Sequence, residues 1–155
     1  MSLEEIRNFV PIAPSIATSG QPTRDQIAEI AAAGYRVLIN LALASSDHAI
    51  ADEGSHAANL GMRFVHIPVA FDAPSLDDLK HFIGVMDAFK DSKVWVHCVV
   101  NARVSAFTYL YLKHVCGVPE GQARSPVLDA WAPRMDEVWK DFLARGEAFL
   151  LARKA

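Results

Sequence analysis

Polar and apolar positions change period along this chain, and the changes mark its elements. At residues 93–98, Val94 and Val96 alternate with Lys93, Trp95 and His97 and give way to Cys98, the pattern of a short buried strand ending at a thiol. Beyond a brief loop, Phe107, Leu110, Tyr111 and Val115 recur at helical spacing. Earlier in the chain, Pro11 and Pro14 argue against a long opening helix, and residues 12–18 read as a short edge strand. Ser19-Gly20-Gln21-Pro22-Thr23 is a turn into a helix that Thr23 and Gln26 open as a capping box. Ile27, Ile30 and Ala31 form its buried face and Gly34 stops it.

Residues 35–41 are too apolar at their centre for a half-exposed strand and read as interior and parallel. A turn at Ser45-Ser46-Asp47-His48 leads to a helix over 49–60 closed by Gly61, then a strand over 64–69. Ser75 and Asp78 form a second capping box, ahead of a helix over 76–89 with Leu79, Phe82, Ile83, Met86 and Phe89 on one face. Gly117-Val118-Pro119 ends the helix after Cys98, and Pro119 opens another that runs to Trp131. Pro133 suits the first turn of a last helix, whose Met135, Val138, Trp139, Phe142 and Leu143 make a buried stripe. Strands that alternate with helices predict an α/β fold: a central, mostly parallel sheet of four to five strands with helices on both faces, residues 1–155 forming a single domain. Ligands in such sheets bind beyond the carboxyl ends of the strands, the rim where Cys98, Asp72 and the Asp47 turn all fall.

Composition narrows the partners. The chain has 155 residues, 52% of them apolar, and a net charge of −3 with no Lys/Arg run, which offers no basic field to nucleic acid. No stretch approaches the roughly 20 apolar residues that cross a bilayer. Met1-Ser2-Leu3-Glu4-Glu5 is acidic where a signal peptide would be basic. Two cysteines are too few for a disulfide scaffold, so the expected setting is reduced and cytoplasmic.

Cys98 stands where a strand gives way to a helix. A thiol there meets unpaired backbone N–H groups and the positive end of the helix dipole, which favour a thiolate. Arg103 can curl over the same pocket and present a planar fork to a tetrahedral oxyanion. The plainer reading makes Cys98 a small buried hydrophobe at a strand end. With His97 before it, and Arg103, Ser105 and a helix after it, the pattern points instead to phosphoryl chemistry.

Four segments then carry a resemblance: Ser19-Gly20-Gln21-Pro22, Gly34-Tyr35-Arg36-Val37-Leu38-Ile39-Asn40-Leu41, His66-Ile67-Pro68-Val69 with Asp72 behind it, and His97-Cys98 followed by Arg103 and Ser105. In these the chain resembles, over most of its length, the protein-tyrosine-phosphatase superfamily and in particular its small bacterial dual-specificity-like members. The resemblance implies a cysteine-phosphatase-like sheet whose Cys loop wraps a phosphate. One feature departs from the family. Its usual signature places five residues between Cys and Arg, whereas only Val99, Val100, Asn101 and Ala102 separate Cys98 from Arg103, and Val104 intervenes before Ser105. Asn101 stands where the family commonly has glycine, and asparagine tolerates left-handed backbone better than most residues.

The implied activity is hydrolysis of a phosphate monoester through a cysteinyl-phosphate on Cys98. The loop residues Val99, Val100, Asn101, Ala102, Arg103 and Val104 and the Arg103 guanidinium would hold the equatorial oxygens. Asp72 is the candidate acid for the leaving oxygen, since it follows a strand and precedes a helix as the family's acid does; an ordinary turn aspartate is the other reading. Asp47 is a further candidate, while Asp77 and Asp78 read as first-turn residues. Ser105 would donate to the sulfur or else satisfy backbone at the helix start, and His97 would fix the loop. No cofactor or metal is called for: His48, His56, His66, His81 and His114 show no ligand spacing. Cys116 reads as core. Two other functions stay open, a rhodanese-like sulfurtransferase carrying a Cys98 persulfide and a pseudophosphatase that binds phosphorylated partners without turnover. The expected partner is a phosphorylated protein or a small phosphorylated molecule.

Overall fold

Pro14 and Ser15 turn the chain back on itself, so the segment expected to be one edge strand is a hairpin. In the computed structural model, which describes residues 2–154, β1 (Val10–Ala13) and β2 (Ile16–Ser19) pair antiparallel with an irregularity between Pro11 and Ala13. Of these two strands only β1 lies at a sheet edge, where its Pro11 costs no central ladder bond. β3 (Val37–Asn40), β4 (Arg63–His66) and β5 (Val94–His97) complete a five-stranded sheet in the order β1-β2-β5-β3-β4, with every pairing except β1–β2 parallel. β4 is shorter than the expected strand, although the Ile67 and Val69 amides still bond the Asn40 and Leu41 carbonyls.

Alternation along β3 and β5 divides the core between two faces. Val37, Ile39, Val94 and Val96 pack with α3 (Leu76–Ala88), α4 (Ala102–His114) and α7 (Glu137–Arg153). Leu38 and Trp95 point the other way, onto Ile6 and onto α1 (Arg24–Ala32) and α2 (Glu53–Asn59). On the first face Phe107 and Phe142 stack at 5.1 Å and Trp139 meets Phe142 edge-on at 5.3 Å. Each such buried aromatic contributes on the order of 2–3 kcal/mol.

Both capping boxes form, Thr23 with Gln26 and Ser75 with Asp78. Gly34 and Gly61 close their helices at positive φ (97° and 86°). Other boundaries differ from expectation. α2 begins only at Glu53, after irregular chain at 49–50 and a turn at 51–52. The helix expected from Pro119 to Trp131 is two, α5 (Glu120–Ala123) and α6 (Pro126–Trp131), because Ser125 precedes a proline and is held extended, where it caps the second. Pro133 sits in a 3-10 turn (Ala132–Arg134) instead of α7, which Asp136 caps through the Trp139 amide. Val138 consequently faces solvent, 42% exposed, rather than joining the stripe. Cys116 is exposed rather than core, lying just beyond the end of α4. Among the described residues no helix is long and apolar enough to cross a membrane.

Candidate active site

β5 runs between β2 and β3, so its carboxyl end emerges at the middle of the sheet, flanked by the ends of both neighbours. The Cys98 amide reaches the Ser19 carbonyl at 3.4 Å, and the Val99 carbonyl accepts from the Gln21 amide at 2.9 Å. This approach requires glycine at position 20, since a Cβ there would lie 2.4 Å from the Val99 carbonyl oxygen. The Ser19-Gly20-Gln21-Pro22 segment therefore seats the loop, with the Gly20 amide bonded to Arg7 O at 2.7 Å.

Asn101 turns the loop into α4. It adopts a left-handed conformation (φ 74°) and is fully buried. Its Nδ2 donates to Asn8 O at 2.8 Å and to Thr18 Oγ1 at 3.1 Å, and Asn8 Nδ2 donates to Val100 O at 2.8 Å. Left-handed backbone costs an alanine roughly 1–2 kcal/mol, and each lost bond about 1 kcal/mol. Asn101→Ala therefore lowers stability by about 3 kcal/mol in denaturant titration, and Asn101→Gly, which relieves the backbone but still loses both bonds, by about 2 kcal/mol.

The loop's other property is what it leaves unbonded. Among the described residues, none of the six amides of residues 99–104 donates to a protein acceptor, and the first bond of the new helix runs from Ser105 N to Asn101 O at 2.9 Å. Six consecutive N–H groups without a protein acceptor thus lie at the start of a thirteen-residue helix, where backbone of this kind can receive an anion. Cys98 lies among the core residues with no exposed surface, and Arg103 is 6% exposed.

Arg103 crosses to the β4–α3 loop. Its NH1 donates to Val69 O at 2.8 Å, and its guanidinium carbon lies 5.8 Å from the Phe71 ring centre. Trp139 Nε1 pins the same loop by donating to Phe71 O at 2.7 Å. The remaining Arg103 donors have no partner among the described residues. They are not among the buried unpaired atoms, Asn101 Oδ1 and His114 Nε2, so they keep contact with solvent space. Asp72 follows Phe71 as an exposed carboxylate with no bond or ion pair among the described residues. Asp47 is exposed in its turn after β3. Ser105 Oγ donates to Ala102 O at 2.6 Å, which takes the proton that a bond to sulfur would need. Beside the loop, Val100, Ala102, Phe71, Trp131 and Arg134 line a cleft of about 410 Å³, an aromatic wall that residue spacing did not reveal.

His97 is buried against Glu53, whose Oε2 lies 2.6 Å from its Nε2, and its Nδ1 lies 3.2 Å from Cys98 O. Glu53 was not singled out from the sequence. Burial pushes its carboxyl up, but the bond and charge of His97, the bond from Gln21 and the charge of His66 together outweigh that and hold it below the ordinary range. An acid opening a short, weakly patterned helix carries no signal of such a role.

A family model for the "DSP-PTPase phosphatase fused to NAD+ Kinase" matches residues 13–116. A protein of Shewanella putrefaciens CN-32 solved as "Putative phosphatase (DUF442)" is 34% identical, with 96% of each chain covered and a TM-score of 0.87. PTPMT1, solved in complex with PI(5)P, is 14% identical over 95% of this chain and 99% of that one (TM-score 0.76), and shares the fold. So does Pseudomonas aeruginosa TpbA, solved in complex with pTyr, at 16% identity over 96% and 93% (TM-score 0.62). None of the curated proteins searched matches. On the family model, which covers residues 13–116, and the near-full-length similarity, this chain belongs to the dual-specificity-like phosphatases of the protein-tyrosine-phosphatase superfamily.

Proposed function

We propose that this phosphatase cleaves a phosphate monoester by way of a cysteinyl-phosphate on Cys98. The observation that supports the reading is the run of six unbonded amides that directly follows Cys98, together with the Arg103 donors left without a protein partner. Cys98 thiolate attacks phosphorus in line and the ester oxygen departs with a proton from Asp72. Water then attacks the cysteinyl-phosphate, which releases inorganic phosphate and restores the thiolate. Charge on the equatorial oxygens falls on the amides and on Arg103. Anchored on Val69, the Arg103 fork is preset, which offsets the missing residue in the loop. His97 supports the loop from beneath, and Ser105 serves the helix start.

The organic part of the ester lies against Phe71 and Trp131, and Arg134 suits a substrate with a further acidic group. PI(5)P and pTyr, the ligands solved with PTPMT1 and TpbA, bracket the candidates: a small phosphorylated molecule or a phosphorylated protein. Free thiols at Cys98 and Cys116 fit a reduced cytoplasm. Steady-state hydrolysis of an aryl phosphate tests the reading, with orthovanadate as a competitive inhibitor. Turnover with vanadate inhibition is expected. Cyanide-dependent thiocyanate release without phosphatase turnover overturns it, as does vanadate binding without turnover.

A further inference from the structure

Next to the segment that seats the loop is a cavity of about 680 Å³ that the phosphoryl steps do not use. Arg7 and Asn8 line it from the N-terminal segment, Gln21, Pro22 and Arg24 from the turn into α1, and Ile50 from the chain after β3. No residue of 98–103 is among its lining. Yet the lining is the loop's own support. Arg7 O accepts from Gly20 N at 2.7 Å, Gln21 N donates to Val99 O at 2.9 Å, and Asn8 Nδ2 donates to Val100 O at 2.8 Å.

The chemistry of the lining says what the cavity can hold. Arg7 and Arg24 bring guanidinium groups, which stay cationic at any working pH. Arg7 has no ion pair or side-chain hydrogen bond among the described residues. Its stem passes over Gly20, where a Cβ would lie 3.0 Å from Arg7 Cγ. Arg24 pairs with Asp52 through NH1, but both side chains are about half exposed, so water screens the pair. Glu5, the acidic residue of the lining, already accepts from Ser2 N at 2.9 Å. Gln21 adds a deeper polar contact, at 8% exposure. Its Nε2 donates to Pro22 O at 3.0 Å, and a carbonyl only accepts, which fixes Oε1 as the other end of the amide. Oε1 receives no bond among the described residues and is not a buried unpaired atom, so it opens on solvent space.

We propose that this cavity is a second, non-catalytic site for a sugar phosphate, with the phosphate on Arg7 and Arg24 and a sugar hydroxyl donating to Gln21 Oε1. Guanidinium forks match phosphate oxygens, an acceptor this deep calls for a hydroxyl, and Pro22 and Ile50 give the carbon skeleton an apolar wall. The volume is in the ordinary range for a small-molecule site. Through Arg7, Asn8 and Gln21 its occupant reaches Val99 and Val100 without touching Cys98.

The test is NMR titration of nitrogen-labelled Cys98→Ser protein with glucose 6-phosphate, inorganic phosphate and glucose, following the Arg7 and Arg24 Nε–H and Gln21 side-chain signals. Glucose 6-phosphate is expected to shift all three and to bind there at least fivefold more tightly than inorganic phosphate, while glucose alone shifts none. Arg7→Glu and Arg24→Glu, each in the same background, weaken that binding at least tenfold. Signals that stay fixed while the amides of 99–104 move overturn the proposal. So do shifts that survive both variants, or equal affinity for inorganic phosphate. A wild type without phosphatase turnover overturns the function proposed above, and this titration still decides the second site.

Discussion

Cys98→Ser reduces aryl phosphate hydrolysis by at least ~10⁴-fold while leaving anion binding in place. A serine hydroxyl is a poor nucleophile without an adjacent base, and among the described residues no base is bonded to the side chain at position 98. Both His97 nitrogens are engaged, and Arg103 is a cation. The six free amides are independent of the sulfur, and serine is close to cysteine in size, so the floor of the site stays filled. Turnover assays paired with calorimetric titration of vanadate separate the two effects. Retained turnover in Cys98→Ser contradicts the cysteinyl-phosphate route, and lost vanadate binding would show that the amides do not form the cradle.

Arg103→Lys lowers kcat/KM by on the order of 10²- to 10³-fold. Lysine keeps the charge and loses the geometry. The native side chain places one prong on Val69 O at 2.8 Å and leaves its other donors free, whereas an ammonium is a single point that must choose between the carbonyl and the phosphate. Whichever it chooses, one side of the site loosens: the equatorial oxygens lose a donor, or the segment carrying Phe71 and Asp72 loses its tether. Most of the loss falls on kcat, because developing charge in the transition state feels the missing donor more than bound substrate does. Steady-state kinetics of the purified variant provide the check, and a loss confined to KM would mean that Arg103 only binds.

What could be read in advance follows from the range of each interaction. The capping boxes at Thr23 and Ser75 are legible because each is settled within four residues. The buried β3 and β5 are legible because continuous apolar runs have few other uses. The β1–β2 hairpin escapes because a turn at Pro14-Ser15 leaves two strands too short for their own pattern. The Ser125-Pro126 break follows from the proline rule alone, and a single helix expected from Pro119 to Trp131 overlooks it. In the site, Cys98 to Arg103 is contiguous and so visible. The Glu53 carboxylate reaches His97 across 44 positions, and the Phe71–Trp131 wall comes from segments 60 positions apart. Spacing carries no trace of such pairings; packing decides them.

The two bonds that join Asn8 to the loop, Asn8 Nδ2 to Val100 O and Asn101 Nδ2 to Asn8 O, have a thermodynamic corollary. If an oxyanion steadies the cradle, it must also steady the strap around Asn8, and to the same extent, because coupling between two equilibria is reciprocal. Proteolytic nicking ahead of Val10 and weakened affinity for oxyanions are then two faces of a single transition.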